Sequence, residues 1–515
     1  MTPGWLSPDT TRVLPVAGVI ACSLLIVLIT GNPLLSVTFL LGVCLVWVVY
    51  RVPMRWSLLA LIGVAILGDV TPWDPRTEQM WVSVASVPQY FLLENLNKVS
   101  GIGALRFSGM EVTLVLLLAL CGLRFLARQS LDRRGRVPIP TPLLCCVLLS
   151  FVSVVWLAML GAVRGGDMRQ SLWQFRYVMW LPILVLMMHY ALRGVRDGKL
   201  LVGVLTATAA CKVALAAYFV FRIARPAGIA PAHVTSHADT VLFVVVMATW
   251  GAIAIEKPTR LRILMTAMVW GWTIFGIILN NRRTAIVSLV ATQALLFLSL
   301  SSKARKRLSV AGLALVPLLI PYLWMGRRRS SGIFSPAAQF WSVFYQTDSS
   351  SATRDIENFN LIVTLKRSLL FGSGWGHEYI ELIHAYDIQA VFAQYRFIAH
   401  NSVLWLFSIG GIVGVTLLWM PIVVTVFLAA RAQRSARTDA ERVTAYAVLA
   451  VVLCYLLQAW SDMGVMGWTA TSMLAMAIAM SGKLAVESGA WSSSQTLYAA
   501  EPRNDQLGEP RTRRT

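Results

Sequence analysis

Apolar runs of about 18–25 residues recur along the whole chain. At 1.5 Å per helical residue, that length matches the ~30 Å hydrocarbon core of a bilayer. Lipid offers no partner to a backbone N–H or C=O, so such runs must form helices or close into a barrel. Barrel strands alternate apolar and polar over about 10 residues, and these runs do not. The chain therefore reads as an all-α membrane protein, a polytopic bundle of about 14 transmembrane helices. The candidate spans are 14–31, 33–50, 56–72, 109–127, 140–162, 170–192, 198–221, 237–255, 261–280, 284–300, 308–325, 402–430, 443–461 and 464–482. The first is too long for a signal-peptide core and lacks a convincing cleavage site, so it reads as a retained span.

Composition agrees. Of 515 residues, 57% are hydrophobic and 13% charged, too little polar surface to cover a soluble protein of this size. The net charge of +21 could suggest nucleic acid, but no aromatic-interleaved basic domain, zinc finger or RNA-binding signature accompanies it. The charge follows topology instead. "YRVPMR", "RFLARQSLDRRGR", "RGVRDGK", "EKPTRLR", "KARKR", "RAQRSARTDAER" and the two termini hold more than half of the 45 basic residues. These loops alternate along the chain, which puts them and both termini in the cytoplasm. The seven cysteines all fall in apolar runs without metal-ligand spacing and read as small buried residues.

The organisation that follows is helices 1–11 over 1–325, a large extracytoplasmic loop over 326–401, helices 12–14 over 402–483 and a disordered cytoplasmic tail over 484–515. A structureless loop of that length is unusual. Its stretch "TRDIENFNLIVTLKRSLLFGSGWG" reads as a short amphipathic helix followed by a glycine turn.

Four features face the outside on this topology. Arg282 and Arg283 occupy a very short turn in "NNRRTAIV". They are either arginines snorkelling at a helix end or phosphate ligands, since a guanidinium pairs bidentately with phosphate oxygens. Arg354 opens the loop helix. Gly372, Gly374 and Gly376 alternate in "LLFGSGWGHEY", which suits tight turns or close backbone approach. His400 and Asn401 precede a long span in "YRFIAHNSVLWLF". His400 is either polar trim at an interface or a general base, and Asn401 is placed to orient it or to bind substrate hydroxyls.

The order of these features resembles the O-antigen ligase and polymerase superfamily. "RRTA" opens a span, an arginine-bearing helix and "LFGSGWG" lie in a large outside loop, and "AHNSVLWLFSIGGIVGV" opens another span. The motif region covers about 280–420, and the span pattern extends the likeness over most of the chain. The resemblance implies a bacterial inner-membrane enzyme acting, on the extracytoplasmic face, on glycans carried by undecaprenyl pyrophosphate. By position, Arg283, Arg354 and His400 match the family's catalytic residues. The two arginines would bind the pyrophosphate leaving group, and His400 would take the proton of an acceptor hydroxyl attacking the anomeric carbon, with inversion. No metal and no cofactor are implied, and no DxD-like carboxylate cluster occurs in an outside loop.

The chain departs from the family pattern twice. Arg282 stands where Ser or Gly often precedes the first arginine, which leaves open which of the pair meets phosphate. Ser408 stands where Glu is common after His-Asn.

Further substrate-binding candidates are Arg282, Asn401, Arg396, Gly372, Gly374 and Arg176, the last within an apolar run where a charge costs about 2.5–3.5 kcal/mol. Lys212 is a similar intramembrane charge, and His377 and Glu378 adjoin the glycine turn. His233 and His237 have i, i+4 spacing, but nothing completes a metal site. The expected partners are a lipid-linked oligosaccharide donor, a glycan or lipid acceptor and membrane lipids. The rival from another class is a flippase of lipid-linked glycans. That class favours charged or broken helices at the midplane, often in repeated halves, and no such repeat is present.

Overall fold

A computed structural model of the chain describes residues 46–68, 92–97, 106–126, 137–231, 234–329, 332–345, 349–384 and 394–492, with short pieces between 18 and 44. Fourteen α-helices are assigned there: α1 Met54–Gly68, α2 Gly109–Leu126, α3 Thr141–Val163, α4 Met168–Ala191, α5 Gly198–Tyr218, α6 His237–Glu256, α7 Arg260–Asn280, α8 Arg283–Ser299, α9 Ser302–Arg328, α10 Ser335–Tyr345, α11 Ser349–Arg367, α12 Ser402–Ser435, α13 Asp439–Ser461 and α14 Trp468–Glu487. No strand occurs among the described residues.

Each apolar run from 56–72 onward coincides with one of these helices. Nine helical segments among the described residues, one of them Gly194–Ala224, are long and apolar enough to cross a membrane; α1 and α8 are shorter. The runs 14–31 and 33–50 are described only in pieces, and the tail from 493 onward lies outside the described residues. Between α9 and α12 the chain forms α10, α11 and the glycine turn, and the amphipathic stretch is α11.

Helix α14 runs through the middle of the bundle, buried along nearly its whole length. Its sequence "TATSMLAMAIAMSGKLA" is mostly Ala, Ser, Thr and Met, so α4, α12 and α13 can all approach it closely. Helix α3 packs on α12 by the same device. The Ser150 and Ser153 hydroxyls donate to the carbonyls of Leu418 (3.3 Å) and Gly414 (3.2 Å). Leu157 fills the groove left by Gly410 and Gly414.

Helix α12 is broken at Gly411 (φ 59°, ψ −169°). A break inside a span frees backbone groups that lipid cannot satisfy. Here the loop after α11 satisfies them. Ser373 and Gly374 donate to the carbonyls of Ser408 (3.2 Å) and Ile409 (2.9 Å), while Ile412 and Val413 donate to those of Leu369 (2.9 Å) and Leu370 (3.0 Å). Trp375, fully buried, then pins the loop to α3: its amide reaches Leu157 O and its indole Val154 O, both at 3.1 Å.

Candidate active site

Four helix ends and one face of α11 bring the polar cluster together. His237 is the first residue of α6, Arg282 lies in the turn from α7 to α8, His400 and Asn401 precede α12, and Asp462 caps the end of α13. The α7–α8 turn is tight because Asn281 takes a left-handed conformation (φ 51°), which asparagine tolerates better than most residues. Arg354 and Glu357 are three apart on α11 and so share a face.

Glu357, buried, fixes His400 twice. Its Oε2 accepts from the His400 backbone N–H (3.1 Å) and from ring Nδ1 (3.2 Å). A carboxylate at Nδ1 assigns the proton to that nitrogen and leaves Nε2 as the basic one. Burial pulls the His400 pKa down, but the hydrogen bond and charge of Glu357, with the charge of Asp462, outweigh burial and the opposing Arg354; the net shift is upward. Asn401 caps α12, its Oδ1 accepting from Leu404 N (3.1 Å). Its Nδ2 is buried without a partner, so both N–H groups of the amide remain for a ligand.

The second half of the cluster is a chain of contacts. Asp462 accepts from the His237 ring, and the Arg282 guanidinium lies against the same ring (2.7 Å from Nη1 to Nδ1). Arg282 also donates to Thr235 O (3.2 Å) and Asn280 Oδ1 (3.4 Å). Only 5% of Arg282 is exposed. Burial lowers its pKa to about 10 against the raising charges of Asp462 and Asp239, so it stays charged at neutral pH. Burial pushes the Asp462 carboxyl up, but the His237 bond and charge bring it below its ordinary value.

Arg354 acts electrostatically on His237, Arg282 and His400 alike, so it faces both halves of the cluster. No ion pair of Arg354 is recorded among the described residues. Two arginine charges that act on one another, beside a histidine whose basic nitrogen is left over, form a site suited to an anion and to a hydroxyl that gives up its proton.

Of the arginine pair, Arg282 turns into the cluster and makes its hydrogen bonds; Arg283, half-buried, opens α8 one residue later. Three further expectations fall on residues already engaged within the fold. Arg176 is held in the fold: Nε and Nη2 make a bidentate pair with buried Glu111 (2.8 and 2.5 Å), and Nη2 also reaches Asn95 Oδ1 (2.8 Å). Gly372 and Gly374 approach protein backbone. Both have positive φ (65° and 84°), and a Cβ would strike Ile409 at the first and Gly161 at the second. Arg396 braces its own loop by pairing with Glu378 (2.8 Å).

Lys212 pairs with Asp239 inside the bundle (2.5 Å), and the Gln174 amide donates to the His377 carbonyl (3.2 Å). His233 lies outside the described residues, so the histidine pair at 233 and 237 is not placed. No group of three or more His, Cys, Asp or Glu able to hold a metal occurs among the described residues.

Sequence reasoning missed Glu357 and Asp462 and weighed His237 only as half of a metal pair. The available signal was thin: Glu357 stands three residues after Arg354, and Asp462 is the one carboxylate directly after the apolar run 443–461.

Residues 268–419 match the family model described as O-antigen ligase. That segment runs from α7 into α12 and includes Arg282, Arg354, Glu357, His400 and Asn401, but not His237 or Asp462. No curated protein matches the chain.

Proposed function

We propose, for a chain whose residues 268–419 match the O-antigen ligase family model, that it transfers an oligosaccharide from undecaprenyl pyrophosphate to an acceptor hydroxyl. The setting is the outer face of the bacterial inner membrane, in cell-surface polysaccharide synthesis. The observation that carries this reading is the pairing of two arginines, Arg282 and Arg354, with a carboxylate-tuned histidine, His400, in one cluster at the helix ends.

The chemistry is a single displacement. The acceptor oxygen attacks the anomeric carbon while the bond from that carbon to the pyrophosphate oxygen breaks. Nε2 of His400 takes the hydroxyl proton, and Glu357 steadies the imidazolium that forms. The departing pyrophosphate gains negative charge, and Arg282 and Arg354 meet it with charges already in place. Attack opposite the leaving group inverts the anomeric carbon. His237 and Asp462 act through Arg282, holding its guanidinium from behind. No step calls for a metal. A polymerase would use a second lipid-linked repeat as acceptor and a ligase a different molecule.

The test uses the purified chain in nanodiscs with an undecaprenyl-pyrophosphate-linked oligosaccharide and an acceptor. Wild type should release undecaprenyl pyrophosphate, and His400→Ala should slow this by about 10²–10⁴-fold, the usual worth of a general base. Equal rates would remove His400 from the mechanism. Movement of the donor between leaflets without release would favour the flippase.

A further inference from the structure

Helices α6 and α13 each have one end in the polar cluster and the other at a cavity of about 1140 Å³. Helix α6 has 20 residues, so the charged end of the cavity, at Glu256 and Lys257, lies about 30 Å from His237, one hydrocarbon thickness. The interior wall is apolar and includes Leu205, Val246, Val448, Met473, Met476 and Met480. Around it stand Arg196, Lys199, Lys257 and Arg262.

Acidic residues line the same cavity, but each has an occupation within the protein. Glu256 accepts from Ser301 (3.3 Å to N, 3.2 Å to Oγ) and pairs with Arg442. Asp439 also pairs with Arg442, at 3.8 Å. Glu441 accepts from the amides of Arg437 and Thr438 that precede α13, and Glu487 from Val195 N (2.8 Å). For Arg196, Lys199, Lys257 and Arg262 no ion pair is recorded among the described residues. Arg196 lies within electrostatic reach of Glu487, which leaves Lys199, Lys257 and Arg262 as the cations beside this apolar interior with no carboxylate partner among the described residues.

That combination selects its occupant. The volume exceeds the roughly 300–1,000 Å³ of ordinary small-molecule sites, and phosphate alone would leave the apolar wall without a partner. Three methionines on α14 give a wall that adapts to a flexible chain. The cations stand at helix ends, at headgroup depth, in two of the loops whose charge points to the cytoplasmic leaflet, where anionic lipids create a negative surface.

We propose that this cavity binds an anionic phospholipid, with its acyl chain among α5, α6, α13 and α14 and its phosphate at Arg196, Lys199, Lys257 and Arg262. The site is separate from the transfer chemistry and does not depend on it.

The test is native mass spectrometry of the full chain, released from detergent with equimolar phosphatidylglycerol and phosphatidylcholine. Wild type should retain phosphatidylglycerol at least about tenfold over phosphatidylcholine. The double variant Arg196→Glu, Lys199→Glu changes two exposed side chains, so folding should survive, and the preference should vanish. Leu205→Trp narrows the cavity and should lower retention of both lipids. Equal retention of the two lipids by wild type would overturn the proposal. So would an unchanged preference in the double variant, or displacement of the bound lipid by millimolar inorganic phosphate, which would make this a free-phosphate site.

Discussion

Glu357→Gln isolates the charge that tunes His400. Glutamine keeps the shape and one acceptor oxygen, so the backbone N–H of His400, now 3.1 Å from Glu357 Oε2, can stay bonded and the ring can stay in place. The full negative charge 3.2 Å from Nδ1 is lost. A hydrogen bond to a charged group is worth about 1.5–3 kcal/mol, and this one strengthens as the ring becomes an imidazolium in the transition state. Its loss should slow turnover by roughly 10- to 100-fold at 1.36 kcal/mol per decade.

The pH profile gives a second and independent readout. Glu357 helps to raise the His400 pKa above its ordinary value, and a base works only when unprotonated. Wild-type activity should therefore rise with pH along a limb on the alkaline side of the ordinary histidine range, and Glu357→Gln should move that limb toward acid. The linked effect on stability has the opposite sense. A raised histidine pKa stabilises the fold below the ordinary value near 6.5, and this is lost as pH rises through the raised one. Release of undecaprenyl pyrophosphate, followed between pH 5 and 9, measures both rate and limb. A variant with the wild-type limb and rate would refute the pairing as the source of basicity.

Three other substitutions probe neighbouring parts. Arg354→Lys keeps the charge but not the bidentate geometry, so turnover should remain at least about tenfold below wild type in the same assay; full activity would show that Arg354 offers only its charge. Asp462→Asn should leave the chain folded by size-exclusion profile and raise the donor KM, because His237 and Arg282 lose the anion that holds them; an unchanged KM would detach that chain of contacts from donor binding. Gly374→Ala places a Cβ against Gly161 at a φ of 84°, a strain of about 1–3 kcal/mol, and should lower the thermal midpoint in detergent; an unchanged midpoint would mean that the loop is not clamped to α3.

The helices were legible because a bilayer leaves the backbone no alternative, so each run from 56–72 onward maps to a helix. His400 and Asn401 were legible as polar residues at the edge of such a run, and Arg354 as the arginine that opens the helix of the large loop. Their partners were not. Glu357 is 43 residues from His400 and carries no local mark of its role. The partner of Arg176 was hidden for the same reason: a charge in an apolar run signals either a cavity or a partner, and Glu111, 65 residues away, could not be matched to it from the sequence. The glycines were half read. Their alternation announces close backbone approach, but the approaching backbone belongs to Ile409 and Gly161, on helices whose packing no local pattern encodes.

The glycine turn nevertheless bears on the site, through α12. Breaking that helix at Gly411 separates a short first segment, residues 402–410, from the long remainder. The short segment carries Asn401 and His400 at its start and is held at its far end by the bonds from Ser373 and Gly374 to Ser408 and Ile409. A continuous helix would fix the direction of His400 by the axis of the whole span. The break lets the loop after α11 set it instead, and α11 is the helix that carries Arg354 and Glu357. One connected unit therefore positions His400, Glu357 and Arg354 together. Arg282 comes from the separate α7–α8 turn and needs its own support, which Asp462 supplies from the end of α13 through His237.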